Sequence, residues 1–207
     1  MIAKVAERRK PALTLVLSGA VGGLAWAASL RAFMVEIAGF TSQVHWLETF
    51  VGILLPGALA GALLGWAEVR RRSGRPTPAL ILSPLLFAVA TLALPGQLWA
   101  LLTTGLGGGA LAVPLIGMAG GYALAGRRRW ARIVCGILSA GFVPLTVIIV
   151  LTLGIPITAR FTWALLLLYS LLAVLAWACA IPLRASPPET STPAGVANVR
   201  DQHPLAS

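Results

Sequence analysis

The chain has 207 residues, of which 58% are apolar and 11% charged, with mean hydropathy +0.88 and a formal charge of +10. A water-soluble domain needs about a quarter of its residues charged to cover its exterior, so this composition excludes an ordinary soluble fold. The basic excess would suit a nucleic-acid binder, but it falls in short clusters between long apolar runs. That is the pattern of membrane topology, and no nucleic-acid partner is expected.

Residues 1–11 form a basic N-terminal segment carrying Lys4, Arg8, Arg9 and Lys10. Residues 12–184 then hold six apolar runs, roughly 12–30, 46–68, 79–95, 98–125, 133–153 and 161–182. The runs lack the apolar-polar alternation of membrane strands, so the expected fold is all-α: a polytopic bundle of six transmembrane helices. The first run, 19 residues long, makes a helix of about 28 Å, close to the hydrocarbon thickness. A basic start and "AWA" at 25–27 imitate a cleavable signal peptide, but the apolar run is long and contains helix-packing glycines, so an uncleaved span is expected.

The first helix is expected to continue to about Ala38, because Leu30, Phe33, Met34 and Ile37 keep a helical period. Arg31 and Glu36 are five apart, about 140° around that helix, and do not face each other. "GFTSQ" turns the chain, with Thr41 or Ser42 suited to cap the next helix, on which His45, Glu48 and Thr49 share a side. Arg31, Glu36, His45 and Glu48 are thus a candidate outer polar cluster, with Arg31 meeting Glu48 across the hairpin and His45 responding to pH. The simpler reading has Arg31 snorkelling, Glu36 solvated and Trp46 anchoring the interface.

The second run contains Gly57, Gly61 and Gly65, a double GxxxG, and the first contains Gly19 and Gly23. Such small residues let helix backbones approach in lipid, where no hydrophobic force drives association. Gly105 with Gly109 and Gly117 with Gly121 place the fourth run at the centre as well, and the fifth offers Gly136 and Ala140. The sixth, "WALLLLYSLLAVLAWACA", has no glycine and is expected to face lipid. Packing within the monomer is preferred over homodimerisation. Glu68 precedes Arg71 and Arg72 by three and four residues, so it pairs with them on one helix face.

The fourth run is too long, at 28 residues, for an untilted helix, and "LTTGLGGGALAVP" concentrates glycine within it. A break near Gly105 to Gly109 would resemble the discontinuous helices of transporters. The preferred alternative makes residues 98–105 an outer interfacial turn. Gly105, Gly107 and Ala110 match GxGxxA, but without a preceding strand they suggest no dinucleotide site.

Sidedness follows from the basic residues. The N-terminal cluster, then Arg70, Arg71, Arg72 and Arg75, then Arg127, Arg128, Arg129 and Arg132, then Arg184 and Arg200 all fall on one side, leaving Arg31 and Arg160 for the other. The basic side is cytoplasmic by the positive-inside rule, so both termini are inside. Trp46, Trp99 and Trp163 lie near outer ends and Trp66, Trp130 and Trp177 near inner ends, as interfacial anchors should, with Trp26 slightly deeper. Residues 185–207, rich in Pro, Ser and Thr, read as a disordered cytoplasmic tail in which His203 has no role.

Catalytic chemistry is not legible. The apolar runs hold no Asp, Glu, His, Lys or Arg away from their ends, Ser139 in "GILSAGF" lacks an intramembrane histidine, and Cys135 and Cys179 read as packing residues. No metal, cofactor or enzymatic activity is expected. The stretch "RAFMVEIAGFTSQVHWLETFVGILLPGALAGALLGW", residues 31–66, carries one resemblance. Arg31, Phe33, Met34 and Trp46, with the glycines behind them, resemble uncharacterised multi-pass membrane proteins of actinobacterial type, though Phe33 stands where that family more often has Trp. The resemblance implies a bacterial plasma-membrane location and no mechanism. The expected role is a structural or interaction component of a membrane assembly, with lipid and other membrane proteins or itself as partners. A small transporter or channel subunit is the alternative, and an intramembrane enzyme comes third.

Overall fold

In a computed structural model the described residues are 2–38, 46–96, 99, 102–103, 108–152, 154 and 156–186. Among them the chain is helical, with no strand. The helices are α1 (Ile2–Ala38), α2 (Leu55–Arg72), α3 (Leu85–Leu92), α4 (Gly108–Ala125), α5 (Arg129–Thr152) and α6 (Ala159–Ala180). A π-helical segment, Leu47–Leu54, leads into α2, and 3-10 turns at Pro78–Leu82 and Ile181–Leu183 precede α3 and follow α6. Four stretches are long and apolar enough to cross a membrane: Ala12–Ile37, Leu47–Arg72, Arg129–Thr152 and Ala159–Leu183. The tail expected over 185–207 lies outside the described residues except for Ala185 and Ser186.

Helix ends follow local chemistry. α1 is described as far as Ala38, and residues 39–45 lie outside the described residues. α2 closes in a Schellman motif: Gly74 at φ +70° lets its N–H reach Arg71 O at 3.2 Å while Arg75 N reaches Arg70 O at 3.0 Å. The Thr158 hydroxyl caps α6 by accepting from Phe161 N at 3.2 Å. At the other boundary of α2, Pro56 has no N–H for the preceding turn, and the Thr91 hydroxyl approaches Gly52 O at 3.2 Å.

The third apolar run is not the continuous helix expected over 79–95. Pro78 and Pro84 divide it into a 3-10 turn and the eight-residue α3, about 12 Å of α-helix. The stretch from Thr77 to Leu94 still lies alongside α2 and the π-helical segment before it, since Arg70 Nε donates to Thr77 Oγ1 at 3.2 Å and Gly52 packs against Leu94. In the fourth run Trp99, Leu102 and Thr103 are helical and α4 covers Gly108–Ala125; Gly105 and Gly107, where the break was expected, lie outside the described residues.

α1 and α2 form the closest pair. A Cβ on Gly61 would collide with Gly19 O and lie 2.8 Å from Gly23 Cα, and one on Gly23 would collide with Gly57 O. The two glycine ladders therefore meet backbone to backbone within one chain, the approach that small residues permit. α6 packs against α1 and α4, and α5 packs chiefly against α4. One apolar cluster joins Ala27, Leu30, Ile53, Phe87 and Leu171; a second joins Val113, Leu168, Leu172, Leu175 and Cys179, and Trp26 and Phe33 touch both.

Two expectations are corrected. α6 does not lie towards lipid: 44% of its apolar window is buried, the most of the four long stretches, against 6% for α5. Its bulk is the reason, because Leu175 fills the space left by Gly117, and Ala176 and Cys179 press on Gly120 and Gly121 of α4. Gly109 is not a packing glycine either. It is exposed, and a Cβ there would meet nothing within 4 Å.

Candidate functional site

Glu68, four residues from the end of α2, organises one end of the bundle. Its Oε1 accepts from Arg71 Nη2 at 2.8 Å and Arg72 Nε at 2.7 Å, and its Oε2 accepts from Arg71 Nε at 2.8 Å. The i,i+3 and i,i+4 spacing on one helix face makes this geometry, as the sequence implied. Arg71 also donates from Nη1 to Ala185 O at 2.9 Å, tying α2 to the segment after α6. Arg72 keeps its side chain 58% exposed.

The other basic turns gather at the same end. Arg127 and Arg184 line a hollow of about 180 Å³ with Tyr122 and the prolines of the 76–78 turn. Arg132 Nε donates to Ala123 O at 3.0 Å, satisfying a carbonyl in the last turn of α4, while Arg128 and Arg129 are exposed.

From Glu68 an apolar cleft of about 340 Å³ runs into the bundle between α1, α2 and α6, with Pro84, Phe87 and Pro114 contributed by neighbouring segments. The glycine ladders create it: they bring two backbones together and leave no side chains above the seam. It extends from Leu15 to Trp26 on α1 and from Gly57 to Glu68 on α2, about 16 Å along each helix. That is half of the roughly 30 Å hydrocarbon core, one leaflet deep. Gly22, Ser18 and Val174 on its lining are exposed, so the cleft is open at the side.

A second apolar groove, about 370 Å³, lies next to it along α6 and is lined by Ala173 and Trp177 together with Val174, Ala178 and Ile181. The last three residues also line the cleft, so they form a shared ridge. Where the groove ends, Arg184 stacks over Trp177 at 5.3 Å.

The opposite end carries the outer polar residues. Arg160 Nε donates to Glu36 Oε2 at 2.7 Å, pairing the start of α6 with the end of α1. Glu36 is therefore not merely solvated, and the cross-element acid at this end is Glu36 rather than Glu48. Arg31 is half-buried, Glu48 is exposed in the first turn of the π-helical segment, and Trp46 stacks on Phe50 at 4.5 Å. His45, with Thr41 and Ser42, lies outside the described residues.

Sequence reasoning located Glu68 and its arginines but missed the cleft. The one available signal was Gly22, a glycine in the first helix outside the GxxxG register, with nothing within 4 Å of its Cβ position. Among the described residues no three His, Cys, Asp or Glu side chains come together. No protein-family model, curated protein or solved structure matches this chain.

Proposed function

We propose that this chain is an integral protein of the bacterial plasma membrane that crosses it six times, with both termini cytoplasmic, and serves as a non-enzymatic component of a membrane assembly. The resemblance of residues 31–66 to actinobacterial multi-pass proteins supports the location. The positive-inside rule and the gathering of Arg71, Arg127 and Arg184 at one end support the sidedness. Six crossings are supported by the third run, which reaches from Thr77 beside Arg70 to Leu94 beside Gly52 despite its prolines.

The observation that carries an interaction role is α5. It is a 24-residue apolar helix that is almost wholly unburied and held mainly by α4. Ile137, Leu138, Leu145 and Ile148 are each more than half exposed along it. The glycine ladders that would make a self-association face are already used between α1 and α2, and among the described residues α5 is the least buried of the long apolar stretches. Photo-crosslinking side chains at Ile137, Leu145 and Ile148 in living cells test this, with Leu59 on α2 as control. Discrete protein adducts from α5 alone support an assembly component; adducts from neither helix would overturn it.

Transport of a neutral or apolar solute is the second reading, favoured by Pro114 of α4 lining the cleft. It requires a water-accessible path beside residues 105–114, so cysteines placed there must react with a membrane-impermeant thiol reagent. Uniform protection excludes transport by that route.

A further inference from the structure

We propose that the cleft and the groove beside it together hold one anionic diacyl phospholipid, its two acyl chains on either side of the Val174, Ala178 and Ile181 ridge and its phosphate at the Arg72 and Arg184 rim. This rests on the membrane reading above. The cleft is one leaflet deep, which suits an acyl chain entering from the headgroup side rather than a compact solute. Its volume, about 340 Å³, falls within the range of small-molecule sites, roughly 300–1,000 Å³. Two neighbouring hollows of similar volume sharing one wall are what two chains on a single glycerol require.

Charge selects the headgroup. Glu68 at the cleft end pairs with both Arg71 and Arg72, Arg184 stacks over Trp177 at the groove end, and the Arg71–Ala185 hydrogen bond ties the two ends together, so the arginines outnumber the carboxylate. Arg71 uses all three of its nitrogens on Glu68 and Ala185 O, whereas Arg72 gives Glu68 only its Nε and keeps its side chain largely exposed. A phosphodiester bearing a net negative headgroup satisfies that excess; a zwitterionic lipid brings its own cation into it. The cytoplasmic leaflet, to which the basic end is assigned, is where anionic lipids meet such arginines.

The test is native mass spectrometry of the full chain in mild detergent, titrated separately with phosphatidylglycerol, phosphatidylcholine and lysophosphatidylglycerol. One phosphatidylglycerol per chain is expected, retained at least about fivefold better than phosphatidylcholine. Arg72→Gln and Arg184→Gln each reduce that retention by about fivefold. Gly22→Leu, a side chain placed where no neighbour obstructs it, fills the cleft and removes retention; Val174→Trp at the exposed ridge is the second blocking variant. Equal retention of the glycerol and choline lipids, lysolipid bound as firmly as diacyl lipid, or undiminished binding in both blocking variants while they remain monodisperse would each overturn the site. A cytoplasmic reporter fused after residue 75 that proves active only outside the cell would instead overturn the sidedness, while leaving the lipid stoichiometry intact.

Discussion

The indole of Trp26 in α1 donates from Nε1 to the carbonyl oxygen of Leu171 in α6 at 2.9 Å, across 145 positions of sequence. The same ring meets Phe87 of α3 edge-on, with centroids 6.3 Å apart and planes at 84°. Trp26 thus joins its own helix to two others and touches both apolar clusters. The other six tryptophans are exposed, suited to the headgroup zone where one side of the ring is wet.

Replacing Trp26 with Phe removes the indole bond and part of the packing around it. An interhelical hydrogen bond in lipid contributes about 1 kcal/mol, and the lost ring area adds to that. Thermal unfolding in detergent, followed by light scattering, is expected to shift downward for Trp26→Phe and to stay unchanged for Trp163→Phe, an exposed ring. Equal behaviour of the two variants counts against Trp26 as the joint of the bundle.

Gly61→Ala and Gly22→Ala separate contact from composition on the glycine-rich pair. At Gly61 the added carbon meets backbone of Gly19 and Gly23, which has no rotamer with which to yield. Overpacking of this kind costs about 1–3 kcal/mol, so the variant is expected to extract as unstable or aggregated protein. At Gly22 the carbon meets nothing, and the better helix propensity of alanine, about 1 kcal/mol, makes that variant neutral or slightly stabilising. Size-exclusion profiles in one detergent compare them directly.

The Glu36–Arg160 pair is expected to contribute little. Their side chains are 34% and 56% exposed, and pairs of that exposure measure about 0–1 kcal/mol. A double-mutant cycle with Glu36→Gln and Arg160→Gln should show a small coupling energy that fades as salt is raised. A coupling that persists in high salt would mean the pair is drier than its exposure implies.

Ser83, at the end of the 3-10 turn before α3, is buried, and its Oγ has no hydrogen-bond partner among the described residues. A buried hydroxyl without a partner costs about 1–3 kcal/mol, so Ser83→Ala is expected to raise the unfolding temperature. A lower temperature would show that the hydroxyl has found a partner in the membrane-embedded protein.

Local features were readable from the chain alone. The ion pairs of Glu68 with Arg71 and Arg72 and the glycine ladders follow from spacings of three and four residues, and helix geometry converts those directly into neighbours. The third run shows the limit of apolar content as a guide. Its hydrophobicity is continuous, but Pro78 and Pro84 remove N–H donors, so the backbone forms a 3-10 turn and a short helix. The partner of Glu36 was out of reach, because Arg160 is brought to it by the packing of α6 against α1.

By itself the sequence determined that this is an all-helical, lipid-compatible chain, since apolar length acts segment by segment. Only the tertiary structure decided which helix is central. Leucines on α6 look lipid-facing until the gaps at Gly117, Gly120 and Gly121 of α4 receive that helix. Packing in a membrane depends on matched shapes between distant segments, and one-dimensional spacing carries no information about which protrusion meets which gap.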